Sequence, residues 1–141
     1  MTNPSADGFE PPAGFRAIRE TGGFDDWIGP IYARRLENGH YRIGFLAEQR
    51  HVNPQGAIHG GMMMSVCDTM MGIAVFRAIG KKRCATIGLN AHFVAGAKIG
   101  DWIEASAEIV RRGQSVVFVR GKLERGDTCL MTADGIWKVL E

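Results

Sequence analysis

The chain has 141 residues, enough for one ordinary domain, and its 45% hydrophobic and 23% charged residues exclude a disordered chain, a coiled coil or collagen. A net charge of +2, from 17 basic and 15 acidic side chains, is too weak a field to point to nucleic acid or an anionic membrane as partner. The cysteines Cys67, Cys84 and Cys129 are odd in number and form no CxxC, which argues against a disulfide framework or a structural zinc site and fits a reducing cytoplasm.

Residues 1–14 are polar and rich in Gly and Pro and read as a disordered lead-in, with one domain over 15–141. No apolar signal-peptide segment stands in the first 27 residues. A short helix is expected within 15–27. Residues 31–36 and 41–48 read as strands around Glu37-Asn38-Gly39, because Asn-Gly supplies the positive φ angles of a hairpin turn. Tyr41, Ile43, Phe45 and Ala47 then share one face.

The one long helix is expected over 58–79, about 33 Å in length. Its apolar residues, among them Met62, Met63, Met64, Val66, Cys67, Met70, Met71, Ile73, Val75 and Phe76, keep to no single stripe, so burial on nearly every side is expected. Asp68 interrupts the segment and argues against a membrane span. Gly80 is the expected stop, with Lys81, Lys82 and Arg83 complementing the negative helix end. Strands follow. In 85–93, Ala85, Ile87, Leu89, Ala91 and Phe93 alternate with Thr86, Gly88, Asn90 and His92. Residues 102–109, 115–123 and 129–140 complete the set. Two strands, a buried helix and four more strands predict an α+β fold, an antiparallel sheet around one helix.

Asp68 is the sole acidic or permanently cationic side chain between Ile58 and Phe76. A carboxylate there is costly unless it is hydrogen-bonded. It is either a structural acid held by Ser65 or Thr69, or a catalytic group. His59-Gly60-Gly61 stands at the helix start, where N–H groups lack internal partners and carry the positive end of the dipole. Glycines there either permit close packing or let an acyl oxygen reach an N–H. Gly60 and Asp68 lie about 12 Å apart along one helix, so they cannot serve one carbonyl within a chain. Two such helices packed antiparallel about a two-fold axis bring Gly60 of one chain to Asp68 of the other. Asn53, before a proline, is either a turn former or an amide donor to water or substrate.

The run from His51 to Gly61, with Asn53, Gly56, His59, Gly60 and Gly61, followed by Asp68, resembles the hot-dog-fold thioesterases, and most of all their phenylacetate-pathway type. Residues 85–93, 97–101 and the Arg111-Arg112-Gly113 turn are similar too, so the resemblance covers about residues 30–140. It implies a hot-dog fold, homodimers often paired into dimers of dimers, and hydrolysis of acyl-CoA thioesters with no metal and no cofactor beyond the CoA of the substrate. By position it implies Asp68 as general base or nucleophile, the Gly60 N–H as oxyanion donor, Asn53 orienting water or substrate, His59 supporting the helix start, and Thr86 beside the carboxylate. Gly61, Arg111 and Arg112 are candidates for substrate binding, the arginines for the CoA phosphates. The family often carries an acid where Gly88 stands.

Two rivals remain at this point. An enoyl-thioester hydratase or dehydratase would pair a His with an acid, for which His59 and Asp68 are at hand. A non-catalytic acyl-CoA sensor would bind without turnover. Zinc catalysis lacks a compact His spacing, and Cys67 beside Asp68 is a poor nucleophile because the carboxylate charge raises its pKa.

Overall fold

The computed structural model describes residues 8–141. The expected lead-in thus lies in part, over 1–7, outside the described residues; within 8–14, Phe9 packs on Tyr32 and Trp102, with ring centroids 6.1 and 5.8 Å away. The elements in chain order are β1 (Arg16–Ala17), α1 (Phe24–Ile28), β2 (Tyr32–Arg35), β3 (Tyr41–Leu46), a 3-10 turn (Gln49–His51), α2 (Gly60–Ala78), β4 (Cys84–Phe93), β5 (Trp102–Arg112), β6 (Val116–Arg125) and β7 (Thr128–Val139). The strands form one seven-stranded antiparallel sheet in the order β1-β2-β3-β5-β6-β7-β4, and α2 packs on β3, β4, β5, β6 and β7. This is the hot-dog arrangement.

The Asn-Gly turn forms as expected. Leu36 donates to His40 O at 2.8 Å, and Gly39 has φ +84. Ile43, Phe45 and Ala47 point into the core. The N-terminal helix is shorter and later than expected. Asp26 accepts from the Thr21 and Gly22 N–H groups, turning the chain just before α1, while residues 16–17 pair with β2.

The helix boundaries match, but its burial does not. Met62, Met63, Val66, Cys67, Met70, Met71 and Val75 are buried against the sheet. Gly61, Ser65, Asp68, Gly72 and Phe76, spaced three or four apart, form a half-buried or exposed stripe. The expectation of burial on nearly every side is therefore corrected: within one chain the sheet covers one side of α2 only. On that side the approach is close. A Cβ at Gly121 would lie 2.8 Å from Met71 Sδ and 2.9 Å from Cys67 Sγ, and its cross-strand neighbours are the equally small Ala107 and Ala133. At the far end Gly80, at φ +73, lets the Lys81 N–H reach Phe76 O and the Gly80 N–H reach Arg77 O, closing the helix.

The strict alternation expected in β4 also fails. The register with β7 shifts between Thr86 and Gly88, leaving Ile87 as an extra residue that is 58% exposed. The bulge moves Thr86 to the same side as Leu89 and Ala91, toward α2.

Candidate active site

The loop before α2 is closed on itself. Val52 bridges to Ile58, the His59 N–H donates to His51 O at 2.8 Å, and the Ile58 N–H donates to Ala97 O at 2.9 Å. Inside it Asn53 Oδ1 accepts from the N–H groups of Gln55 (2.9 Å) and Ala57 (3.1 Å). Gly56, at φ +87, completes the turn. The turn-forming role of Asn53 is thus real, and it uses only the carbonyl side of the amide. Its NH2 has no partner among the described residues and remains available as a donor.

His59 caps the helix. Its Nδ1 accepts from the Gly61 N–H at 2.8 Å, which leaves the proton on Nε2, and its carbonyl accepts from Met62 and Met63. The Gly61 N–H is therefore engaged, while the Gly60 N–H has no acceptor among the described residues. A Cβ at Gly60 would meet the Phe93 ring at 3.0 Å, so Phe93 lies beside that free donor.

Two turns further on, Asp68 is half-buried on the open stripe. Thr86 Oγ1 donates to Asp68 Oδ1 at 2.8 Å, and Oδ2 has no partner among the described residues. The structural partners expected from sequence are turned elsewhere: Ser65 donates to Gly61 O at 2.8 Å and Thr69 to Asp25 Oδ1 at 3.0 Å. Cys67 faces the sheet. Burial and the Asp68 charge push its thiol up to about 12, which keeps it protonated at neutral pH.

A family model described as the Thioesterase superfamily matches residues 55–131, more than half of the chain and the whole of α2. The chain belongs to the thioesterase superfamily. Among its relatives is a Pseudomonas aeruginosa protein provisionally named an esterase, 26% identical over 127 residues, 89% of this chain and 95% of that one. Human acyl-coenzyme A thioesterase 13 is 22% identical over 120 residues, 85% of this chain and 86% of that protein. A Bacillus halodurans protein solved with CoA superimposes with a TM-score of 0.72 at 27% identity, over 77% of this chain and 73% of that one.

This thioesterase-superfamily chain brings together Asn53, His59, Gly60 and Gly61 at one end of α2, and Asp68 and Thr86 at its middle. It does not bring Arg111 and Arg112 to either. They lie past Ile109, which lines a cleft with Arg77 and Ala78 at the C-terminal end of α2. Both are exposed and have no acidic partner among the described residues. Among the described residues no three His, Cys, Asp or Glu side chains group as a metal site, and no helix is long and apolar enough to cross a membrane.

Sequence reasoning missed the place of Phe93 beside Gly60 and the tether that holds α1. For Phe93 the signal was present, a large apolar residue closing the β4 alternation, but nothing local ties it to Gly60. For α1 the tether runs through Thr69 to Asp25, 44 residues apart, which no local pattern reveals.

Proposed function

We propose that the protein hydrolyses an acyl-CoA thioester to the free acid and CoA, without a metal or a cofactor beyond the CoA of its substrate. The observation that carries the reading is the unpartnered Gly60 N–H at the positive end of α2, kept free because His59 takes the Gly61 N–H instead. A thioester carbonyl accepting from Gly60 gains stabilisation as its oxygen becomes an oxyanion. The free NH2 of Asn53 orients the water or the carbonyl. Asp68, held by Thr86 through one oxygen, uses the other either to take a proton from water or to attack the carbonyl itself. In the first route water adds to the carbonyl carbon, the tetrahedral intermediate expels the CoA thiolate, and the proton held by Asp68 returns to the sulfur.

The reading requires a homodimer. Gly60 and Asp68 are about 12 Å apart along α2, too far to meet on one carbon, and the open stripe that carries Asp68 is the surface a partner helix would cover. The outer sheet face, with Val110 and Phe118 exposed, supports a further pairing into a dimer of dimers.

Thiol release from acyl-CoA is the direct assay, run beside loss of the enoyl chromophore of an enoyl-CoA to detect hydration. The composite site has its own test. Asn53→Ala and Asp68→Ala are each nearly inactive alone. Refolding an equal mixture restores roughly a quarter of wild-type activity, because half the dimers are mixed and each holds one intact site of two. Mixed dimers that form, by mass spectrometry, and remain inactive contradict the shared site.

A further inference from the structure

Helix α1 is only five residues long, yet it is tied down from several directions. Thr69 of α2 donates to Asp25 at 3.0 Å. His51 Nε2 donates to Ile28 O at 2.8 Å, and the Arg50 guanidinium donates to Trp27 O at 2.9 Å and to Gly29 O. The Asp26 carboxylate accepts from the Thr21 and Gly22 N–H groups just upstream. With the backbone fixed in this way, the two large side chains nevertheless point out: Phe24 is 62% and Trp27 59% exposed. Aromatic rings left in water forgo much of the stabilisation that burial brings. A segment pinned to hold two rings in the open is accounted for when an apolar group arrives between them and the rest of the site.

The rings wall a cleft of about 350 Å3 whose other side includes Met62, His59 and Gly61. His59 and Gly61, the chain neighbours of Gly60, line the cleft, which sets it beside the helix start that carries the free N–H. No carboxylate lines it among the described residues. Its size falls in the range of about 300–1,000 Å3 usual for small-ligand sites, and an acetyl group would leave most of it empty.

We infer that Phe24 and Trp27 form the acyl-selecting wall of the site, taking the apolar body of an aromatic or extended alkyl acyl group while its carbonyl lies at Gly60. The inference rests on the thioesterase reading above and adds to it the class of acyl group and the residues that select it. Both residues are specificity determinants that contact substrate and take no part in bond making.

The test compares acetyl-, hexanoyl- and phenylacetyl-CoA as substrates of the full chain and of the variants Phe24→Ala, Trp27→Ala and Trp27→Phe. The wild type prefers the two larger substrates. In each alanine variant the ratio of their kcat/KM to that of acetyl-CoA falls about tenfold or more, chiefly through KM, and Trp27→Phe keeps most of the ratio. A non-hydrolysable hexanoyl-CoA thioether shifts the tryptophan emission of the wild type, and the shift is lost in Trp27→Phe, where Trp102 and Trp137 remain. Thiol release with an unchanged ratio in both folded alanine variants overturns the wall and leaves the thioesterase reading standing. An emission shift assigned to Trp27 with no thiol release from any substrate does the reverse. Alanine variants that dissociate the oligomer while keeping the ratio also overturn the wall, because the rings are then a subunit contact. Absence of both binding and release removes both readings.

Discussion

The two sides of α2 are made from the same 19 residues and follow different rules. Toward the sheet, position is set by volume. Met71 and Cys67 come so close to β6 that Gly121 has no room for a side chain, and at Gly135 of β7 a Cβ would run into the Trp137 ring and fall 2.9 Å from Met71 Cε. Away from the sheet, position is set by access. Gly61, Ser65, Asp68 and Gly72 are small or polar, and around them the Gly60 N–H and the Asp68 Oδ2 are left without a partner among the described residues and the Phe76 ring is exposed. Smallness does on this side what polarity usually does on the outer face of an amphipathic helix, which is why the apolar pattern by itself reads as buried all round.

If the two sides are so divided, substitutions on the open side change rate and those on the packed side change stability. The largest effect is expected at Asp68. Asp68→Asn keeps its size and the bond from Thr86 and loses at least about 10²-fold in kcat, with a melting temperature near that of the wild type. Retained thiol release together with a large drop in melting temperature would make Asp68 a structural acid and erase the division. On the packed side, Gly121→Ala inserts a methyl group against Met71 and Cys67. Unfolding in denaturant shows a loss of about 1–3 kcal/mol, while the folded fraction keeps its kcat. A loss of kcat at unchanged stability would show that the packed side transmits to the site.

The smallest effect concerns the border between the open side and α1. His51 is 4% exposed, and burial lowers its pKa; its bond to the Ile28 carbonyl pulls upward and the Arg50 charge downward. Neutral His51 accepts the Glu48 N–H at Nδ1 and donates to Ile28 O through Nε2; protonation removes the first bond and keeps the second. The unfolded chain takes up this proton near pH 6.5, above the folded value, so stability is lost as pH falls below about 6.5. Between about pH 7.5 and 5.5 the melting temperature of the wild type drops more than that of His51→Gln. Equal drops in both would separate His51 from the pH response.

Much of the framework is legible in the sequence where the signal is local. Asn38-Gly39 demands a tight turn, His59 provides a capping nitrogen for the Gly61 N–H two residues on, and Gly80 adopts the positive φ that ends α2. The candidate residues at the helix start are legible for the same reason, since helix termini carry their unmet hydrogen bonds in a known order. Legibility fails where the outcome depends on distant pairing. Asp68 is conspicuous in the sequence, yet its hydrogen-bond partner is not Ser65 or Thr69, its neighbours along the helix, but a residue of the next strand.

The sequence by itself determined the reach of α2, the loop that holds Asn53, the free donor at Gly60 and the lone acid at Asp68, because each follows from chemistry within a few residues of chain. Only the tertiary structure decided which groups meet them. By strict alternation Thr86 would face away from Leu89 and Ala91. The shift of β4 against β7 at Ile87 turns it to the helix side, where it bonds Asp68. That shift arises from pairing with residues about 50 positions later in the chain, Ile136 and Trp137. The same long-range pairing carries Phe93 to Gly60, and a hydrogen bond across 44 residues holds α1 beside them. Local periodicity carries no information about such contacts, because their free energy depends on strands and helices that meet only after the chain has folded.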